Sequence, residues 1–446
     1  MANPPRPQLG ILKEREPIFL PLNQVFKRGP PGAYAVRYFP FPGQPLVNFA
    51  LRPIKLYEQS SEFPDEHVDS LSHHASRLIG CTLRSWTAVQ PKQNHCQMFR
   101  ICSYNVLCQT ILEQTSFLYT KTNKKFLDWT HRSNRLRREL PSLKADVYCF
   151  QEVHFQHYKS FFLPLMKKCG FDGHYEQKKN NLNDGCALFF RNSIFEEMDY
   201  RRVDMFIAEE TTLDKPNVGQ LIRLKHLHSK REICIANTHL IFKKSLGAEK
   251  FAQMALLIAH LKEFIAKGNR AEYILCGDLN IEAFSDIYRF VIEKKLSLDA
   301  CIAVLMSGQV GIPRGSVNPP EINIPREAAL KQDCTFAKES EEITYESNNW
   351  SHHLNFASAY HHLRSNGTHD LSTFHSKDGL NPDFVFYSVE SSIVNKNVLQ
   401  VHEAGLRLLN RLELPEISEA NAAFGPWPNQ FTPSDHVPLL IDFAFV

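Results

Sequence analysis

The sequence predicts a large α/β domain, because apolar segments typical of buried strands alternate with stretches of helical periodicity. A second observation concerns the strand ends, where six of the apolar segments meet short polar clusters. The segments read ICSYNVL, VYCFQEV, ICIANTHL, YILCGDLN, DFVFYS and TPSDHVPLLI. Acids, amides and histidines repeated at strand ends would gather around one cleft above a sheet edge, as in a metal-dependent phosphate hydrolase.

The polar clusters supply the candidate site residues of the chain: Asn105, Glu152, His239, Asp278, Asn280, Asp383, Asp435 and His436. Taken singly, a Glu at a strand end is usually solvated or salt-bridged, and a lone His after a strand is usually structural. Six such clusters in one chain favour a shared functional site instead.

Four stretches between the strands are predicted to be helices: 129–143, 155–168, 246–266 and 284–294. The third has the clearest pattern, since its apolar residues recur at the spacing of a core-facing helical stripe. That helix is therefore interpreted as scaffold.

The ends of the chain and one internal segment depart from this alternation. Residues 1–64 are rich in Pro and lack helical periodicity, which predicts an extended or flexible arm. Residues 65–98 are predicted to lead as a helix into a catalytic domain that spans 99–446. Within the domain, the stretch 306–350 predicts an irregular insertion, either near the substrate side or as a mobile loop.

The composition is that of a globular protein of 446 residues, 43% hydrophobic, with a formal net charge of +3. With so small a charge, nucleic acid would have to be bound by local patches. One basic run comprises Lys121, Lys124, Lys125, Arg132, Arg135, Arg137 and Arg138. The alternative to a nucleic-acid-binding patch is that this run forms the solvated face of a helix.

The 11 cysteines lack disulfide-type or metal-type spacing and indicate a reduced interior. Neither a secretory leader nor a membrane segment is recognisable in the sequence. We therefore expect a cytoplasmic or nuclear protein without membrane association.

The content and order of the clusters resemble the endonuclease/exonuclease/phosphatase superfamily, from about Phe99 to the C-terminus. Within it, NDGCALFF at 183–190 and DFVFYS at 383–388 are similar to the branch of carbon-catabolite-repressor-type deadenylases, nocturnin and the Angel proteins. TFHS at 373–376 is most similar to Angel. The resemblance implies a four-layer α/β sandwich, with two packed mixed β-sheets flanked by helices, and a catalytic Mg²⁺ or Mn²⁺.

Three of the candidates are expected at the metal. Glu152 would coordinate it, since Mg²⁺ takes one or two carboxylates and leaves its other positions to water and phosphate oxygens. Asn105 would orient Glu152 or reach the metal itself. The resemblance places Asp435 near the metal as well.

The remaining candidates would act on protons and phosphate. His239 would donate a hydrogen bond to a phosphate oxygen. Asp278 and Asn280, two apart on an extended backbone, would lie on the same side, one positioning the attacking water and the other binding phosphate. The resemblance pairs Asp383 with His436, which would act as a base or as electrostatic support, and the sequence leaves both roles open.

The segment after His239 departs from the pattern of the deadenylases and Angel proteins. Those proteins carry a proline a few residues further on, which faces adenine in the deadenylases, whereas this chain has Lys244, preceded by Lys243. The two lysines are better suited to backbone phosphate than to base stacking. Asn183 and Phe374, in the segments that carry the resemblance, are further candidates for substrate contact.

Together, the residues and the resemblance predict a Mg²⁺-dependent phosphoesterase that hydrolyses 2′,3′-cyclic phosphate at RNA 3′ ends. A 3′-to-5′ exonuclease acting on poly(A) is the nearest enzymatic alternative, ahead of the nicotinamide-dinucleotide phosphatase role of nocturnin. The alternative from another class is a catalytically weak RNA- or protein-binding adaptor, which the retention of all six clusters disfavours. The expected partner is the 3′ end of RNA.

Overall fold

The computed structural model describes residues 33–37, 84–90, 97–180, 182–268, 271–310, 320–345, 347–362, 368–376, 379–395, 398–423 and 425–446. Most of the predicted arm and lead-in, and the stretch 311–319 of the predicted insertion, lie outside the described residues.

The strands are β1 (Ala33–Arg37), β2 (Trp86–Ala88), β3 (Met98–Asn105), β4 (Val147–His154), β5 (Phe171–Gln177), β6 (Asp184–Arg191), β7 (Phe195–Phe206), β8 (Asp214–His226), β9 (Glu232–His239), β10 (Glu272–Asp278), β11 (Lys295–Ser297), β12 (Asn349–Ser351), β13 (Phe356–Ser358), β14 (Thr373–Phe374), β15 (Gly379–Leu380), β16 (Asp383–Ser388), β17 (Ser391–Asn395), β18 (Val398–His402), β19 (Leu406–Leu412) and β20 (Leu439–Phe445).

The α-helices are α1 (Gln109–Gln114), α2 (Lys124–Leu127), α3 (Trp129–Ser142), α4 (Phe155–His157), α5 (Leu163–Lys168), α6 (Gly247–Ala266), α7 (Asp286–Glu293) and α8 (Ile417–Ala423). A π-helical turn, Tyr158–Phe162, makes α4 and α5 continuous. The four predicted helices are all present, with boundaries close to those expected from the periodicity. Within the part of the chain that the structure describes, no helix is both long and apolar enough to cross a membrane.

Two large sheets organise the domain. One has six strands in the order β13-β16-β10-β9-β8-β7, and the other has seven in the order β2-β19-β20-β3-β4-β6-β5. Both sheets are mixed, since β9 runs parallel to β10 and β3 runs parallel to β4, whereas their other pairs are antiparallel.

Alternation of side chains along the strands explains why helices cover the outer faces. In β4, Val147 and Cys149 belong to the core between the sheets, whereas Tyr148 and Phe150 belong to a second core with residues of α3 and α5. On the opposite side, α6 buries its apolar face against the six-stranded sheet. The predicted four-layer α/β sandwich is therefore confirmed.

The described end of the lead-in is a strand, so the helical prediction for 65–98 is wrong at this point. Strand β2 pairs antiparallel with the edge of β19. Arg84 is buried and donates hydrogen bonds to the carbonyls of Glu413 (2.7 Å) and Pro438 (2.7 Å). The open edge of β19 and these long-range bonds outweigh the local preference for a helix. Within the predicted arm, β1 pairs with β18.

The described part of the insertion packs largely on α6. The rings of Phe251 and Trp350 lie 5.4 Å apart, and those of His260 and Phe336 lie 4.6 Å apart. This part therefore covers a helix on the outer side of the six-stranded sheet. The nine cysteines among the described residues are all free, and eight of them are buried, in agreement with a reduced interior.

Candidate active site

The polar clusters meet at one edge of the two sheets. Asn105 ends β3, Glu152 lies near the end of β4, His239 ends β9 and Asp278 ends β10. Because β3 is parallel to β4 and β9 is parallel to β10, each pair brings its carboxyl ends to the same edge. Asp383 begins β16 and lies directly across from Asp278. The predicted cleft is formed where these strand ends face one another.

A bulge in β4 turns Glu152 into the cleft. The register with β6 shifts between Phe150 and Val153, and Glu152 has a left-handed φ of 56°. Strict alternation would instead point Glu152 to the helix side, along with Tyr148 and Phe150. A bulge re-aims a side chain in this way, and the left-handed backbone costs roughly 1–3 kcal/mol at a residue other than Gly.

Two neutral donors hold the Glu152 carboxylate. Its Oε1 accepts from Asn105 Nδ2 (3.1 Å), and its Oε2 accepts from the backbone N–H of Cys108 (3.0 Å). Burial raises the pKa of Glu152, and the nearby carboxylates of Asp435 and Asp184 raise it further. A cation near Glu152 would relieve this repulsion.

Asn105 orients two carboxylates at once. Its amide nitrogen donates to Glu152 and also to Asp278 Oδ2 (2.9 Å). Its amide oxygen accepts from the backbone N–H of Leu107 at 3.0 Å. Of the two roles predicted for Asn105, the structure supports the orienting one. The role of metal ligand stays a prediction, since the amide oxygen has a second lone pair beside the one that accepts from Leu107.

Asp278 and His239 form the centre of the cleft. The Nε2 of His239 lies 3.6 Å from Oδ2 of Asp278, and both side chains are buried. Burial, with a smaller contribution from the charge of Asp383, raises the pKa of Asp278 to about 7. Burial and the positive charge of Lys178 hold the pKa of His239 well below its usual value, so this imidazole is neutral.

Asn280 does not lie on an extended strand beside Asp278, because β10 ends at Asp278 and Asn280 has a left-handed φ of 49°. The extended backbone that we expected at Asn280 is therefore wrong, whereas its role in binding phosphate stays a prediction. Instead, the backbone N–H of Asn280 donates to Asp278 Oδ1 (3.1 Å), and its side-chain amide donates to the carbonyl of Leu240 (3.1 Å). Asn280 closes the turn that holds Asp278 in place.

Asp383 pairs with His436, as the resemblance implied. Oδ2 of Asp383 accepts from Nδ1 of His436 (2.7 Å) and from Oγ of Ser372 (2.6 Å). Burial alone would lower the pKa of His436, but the charge and hydrogen bond of Asp383 outweigh it and raise the pKa well above its usual value. The imidazole is therefore charged near neutral pH, and its Nε2 lies 3.8 Å from Asp278 Oδ2.

Asp435 is oriented by a tyrosine that the sequence did not indicate. Its Oδ2 accepts from the hydroxyl of Tyr119 at 2.8 Å. Its Oδ1 has no hydrogen-bond partner among the described residues and lies 4.0 Å from Nε2 of His436. One carboxylate oxygen of Asp435 is thus held from behind while the other faces the site.

A buried ion pair that the sequence reasoning missed also reaches the cleft. Nζ of Lys178 lies 2.6 Å from Oδ2 of Asp184, and both side chains are almost fully buried. Burial opposes the charge on Lys178, but Asp184 and Glu152 raise its pKa overall. A signal for Asp184 was present, since it begins an apolar strand as Asp383 does. The neighbouring Asn183, which we predicted to contact substrate, is exposed.

The other three predicted substrate residues differ in position. Lys243 is exposed and Lys244 is half-buried, with the carbonyl of Lys244 accepting from Ser307 Oγ (3.1 Å). Phe374 is only 8% exposed and its ring packs edge-on against Trp427 at 5.8 Å. The ring of Phe374 thus packs in the hydrophobic core, and its contact with substrate stays a prediction.

The predicted basic run contains both buried and exposed side chains. Arg132 is fully buried and donates to the carbonyls of Val106 (2.7 Å) and Pro433 (2.6 Å), which joins the loops after β3 and before β20. Lys121, Lys124, Lys125, Arg137 and Arg138 are exposed. Only this exposed part can face nucleic acid.

Two overlapping sets of described side chains could hold a metal ion. The first is Glu152, His239 and Asp278, and the second is Asp278, Asp383 and His436; within each set the ligand atoms lie within 4.8 Å of one another. In the second set Asp383 and His436 already bond to each other, so the first set fits a cation better. Carboxylate oxygens are donors that a hard divalent cation prefers, and its charge would offset the burial and repulsion that raise the pKa values of Glu152 and Asp278.

With this geometry established, the chain can be compared with known proteins. Residues 102–436 match the sequence model of the Endonuclease/Exonuclease/phosphatase family. The chain belongs to this family. The superfamily resemblance seen in the sequence is confirmed.

The relatives in the family include Angel proteins. The chain is 31% identical to protein angel homolog 2 of Danio rerio over 364 residues, which cover 77% of this chain and 64% of the relative. It is also 31% identical to protein angel homolog 2 of Homo sapiens over 375 residues, covering 77% and 69%. The chain thus spans about two thirds of the length of these relatives.

Solved structures agree with these relatives. The crystal structure of ANGEL2, a 2′,3′-cyclic phosphatase, in complex with adenosine-2′,3′-vanadate has a TM-score of 0.71 and 30% identity, covering 81% of this chain and 98% of that chain. The human nocturnin catalytic domain with bound sulfate has a TM-score of 0.50 and 21% identity, covering 82% and 98%. The second likeness concerns the fold alone.

Proposed function

We propose that this protein is a divalent-metal-dependent phosphoesterase that hydrolyses 2′,3′-cyclic phosphates at RNA 3′ ends. The observation that carries the proposal is the likeness to ANGEL2, which extends over 81% of this chain and 98% of a structure that holds adenosine-2′,3′-vanadate. The cleft supports it, because the acids and histidines needed for phosphate chemistry are buried around one point.

The metal would be held by Glu152, with Asp435 near it, which leaves Asp278 for proton transfer. Oxygen donors of this kind favour Mg²⁺, and Mn²⁺ is also compatible with them. When bound, a divalent cation supplies Lewis-acid stabilisation of the charge that develops on the phosphate oxygens.

The two histidines differ in charge and therefore in role. Neutral His239 can donate one N–H to a non-bridging phosphate oxygen. Charged His436 can stabilise the developing negative charge and supply a proton. Of the two roles that the sequence left open for His436, its raised pKa favours electrostatic support over a general base.

The proton balance of ring opening can be met by two groups. Water attacks the phosphorus, one bond from phosphorus to a ribose oxygen breaks, and that oxygen takes up a proton. Asp278, with a pKa of about 7, can accept the proton from the attacking water. His436 can provide the proton to the leaving ribose oxygen, and its partner Asp383 keeps the ring in place.

Lys243 and Lys244 are proposed to contact the RNA backbone beside the cleft. Both follow His239 within five residues, and neither offers the flat face on which a base would stack. We therefore propose weak dependence on the identity of the last base. The free cysteines support a reducing compartment, the cytoplasm or nucleus, as the place of action.

The proposal can be tested with the purified protein, Mg²⁺ or Mn²⁺, and oligoribonucleotides of one sequence that end in a 2′,3′-cyclic phosphate, a 3′-phosphate or a poly(A) tail with a free 3′-OH. We expect the cyclic end to be hydrolysed, the two other ends to persist, and chelator to stop the reaction. The Glu152→Gln variant provides the matched inactive control.

Two outcomes would contradict the proposal. Shortening of the poly(A) tail without reaction of the cyclic end would make the protein a 3′-to-5′ exonuclease. Absence of any reaction, together with RNA affinity that is the same in wild type and Glu152→Gln, would make it a binding adaptor.

A further inference from the structure

Phe117 is an exposed aromatic side chain that the proposed chemistry does not use. It lies on a segment after α1, residues 115–122, which we call the strap. Its side chain is 61% exposed, the highest value among the large exposed hydrophobic residues that the structure describes. The next two residues, Leu118 and Tyr119, pack inward with Leu107 and Leu112. The strap thus fills its small core without Phe117, whose ring is left in solvent.

The strap is held firmly against the cleft. The hydroxyl of Tyr119 donates to Asp435 Oδ2 at 2.8 Å. The backbone N–H of Ser376 donates to the carbonyl of Leu118 (3.0 Å), and Ser376 Oγ accepts from the backbone N–H of Lys121 (2.9 Å). Phe117 therefore stands two residues from a side chain that orients an acid of the site.

Three exposed lysines follow Phe117 within eight residues of the chain, in a stretch bounded by the exposed acids Glu113 and Asp128. Lys121, Lys124 and Lys125 are exposed, and Nζ of Lys125 lies 4.8 Å from the ring centre of Phe126. The sequence contains no Asp or Glu from Thr115 to Leu127. An exposed ring with exposed lysines a few residues away is a combination with which proteins bind single-stranded nucleic acid, through base stacking and phosphate contacts.

We propose that the strap and α2 bind single-stranded RNA on the 5′ side of the reacting 3′ end, with Phe117 stacking on a base. This inference rests on the proposed function, and it adds a binding surface outside the catalytic cleft. RNA is the occupant that the position favours, because a strand whose 3′ end lies in the cleft must leave across one of its edges. The strap forms such an edge and carries the charge that matches phosphate.

The test compares an eight-nucleotide RNA that ends in a 2′,3′-cyclic phosphate with adenosine 2′,3′-cyclic phosphate, which has no upstream base. For Phe117→Ala we expect the KM of the octanucleotide to rise roughly 5- to 150-fold, the range that follows from the loss of one stacked base. Its kcat, and both constants for the mononucleotide, should stay unchanged.

Matched variants separate stacking from general damage. Phe117→Tyr keeps an aromatic face and should keep the wild-type KM. Met198→Ala removes another exposed apolar side chain, 47% exposed on the edge strand β7, and should change neither substrate. Lys124→Ala should lower the slope of log affinity against log salt by about 0.7, the value for one phosphate contact in a single strand.

Four results would overturn the inference. The first is equal kinetics of Phe117→Ala and wild type on the octanucleotide, and the second is an equal loss on both substrates. If the wild type hydrolyses neither substrate, the proposed function fails, and the third result is then an unchanged dissociation constant of the labelled octanucleotide in Phe117→Ala, measured by fluorescence anisotropy. The fourth is a Phe117-dependent loss of binding to phosphatidylserine-containing vesicles with unchanged RNA affinity, which would make a membrane the occupant.

Discussion

The pair formed by Asp383 and His436 gives the most direct test of the proposed chemistry, through the variant Asp383→Asn. Asp383 is 1% exposed, and its Oδ2 accepts from both His436 Nδ1 and Ser372 Oγ. Asparagine keeps the shape of the side chain and can still accept a hydrogen bond, but it removes the negative charge. The variant therefore isolates the electrostatic contribution of Asp383.

The expected loss follows from what the charge does. A hydrogen bond to a charged group contributes about 1.5–3 kcal/mol, which corresponds to about 10- to 150-fold in rate. Loss of a positioned proton-transfer group costs about 10²- to 10⁴-fold. Since Asp383→Asn weakens the bond and also removes the charge that keeps His436 protonated, we expect kcat/KM to fall by about 10²- to 10⁴-fold.

The variant also has a signature in the pH profile. The Asp383 carboxylate raises the pKa of His436, so removing its charge lowers that pKa. The imidazolium is then lost at a lower pH, and the alkaline limb of kcat/KM should move to lower pH. The assay is hydrolysis of a cyclic-phosphate oligoribonucleotide from pH 5.5 to 9.5 at saturating Mg²⁺, with circular dichroism to verify folding.

Ser372→Ala is the control, because it removes the other hydrogen bond to the same carboxylate oxygen. A hydrogen bond from a hydroxyl to this charged carboxylate contributes about 1.5–3 kcal/mol, so its loss costs at most about 10- to 150-fold. Because the charge of Asp383 remains, the alkaline limb should stay in place. The electrostatic role of Asp383 is refuted if Asp383→Asn keeps the wild-type pH profile, or if the two variants lose activity equally.

Three further predictions concern the metal, the substrate and stability. Glu152→Gln should be inactive at every Mg²⁺ concentration while its urea midpoint stays near that of the wild type; activity of the variant, or of the wild type in chelator, would contradict this. Replacing Lys243 or Lys244 with Ala should lower the salt slope of RNA binding by about 0.7 per lost phosphate contact, and Lys244→Pro should shift preference towards adenine-ended RNA. Strong selectivity of the wild type for poly(A) would contradict the phosphate-binding role assigned to Lys243 and Lys244. Burial lowers the pKa of Lys250 to about 7, whereas a lysine in an unfolded chain has a pKa of about 10.4. Between about pH 7 and pH 10.4 the folded protein therefore binds fewer protons than the unfolded chain. Its stability increases as the pH rises through this interval. The free energy of unfolding of the wild type minus that of Lys250→Met should therefore increase from pH 6.5 to 9, and a constant difference would show that Lys250 is not buried uncharged.

The α/β fold class and the location of the site were predictable from the residues, whereas the four-layer sandwich came from the family resemblance. Apolar segments of period two and stripes of helical period depend on local spacing, so strands and helices were predictable. Polar residues at strand ends indicated the cleft, since His239 and Asp278 end parallel neighbouring strands. The pairing of Asp383 with His436 came from the family resemblance, and the structure shows it at 2.7 Å.

The tertiary structure alone decided the direction and charge of the individual side chains. Glu152 enters the cleft because of a bulge against β6, and Asn105 orients both Glu152 and Asp278 through its amide nitrogen. Tyr119 holds Asp435 across 316 residues of sequence, and no local pattern could indicate that contact. Phe374 looked like a substrate contact from its motif, but packing against Trp427 buries it. Periodicity is a property of neighbours in the chain, whereas hydrogen-bond partners, burial and pKa values depend on segments that only folding brings together.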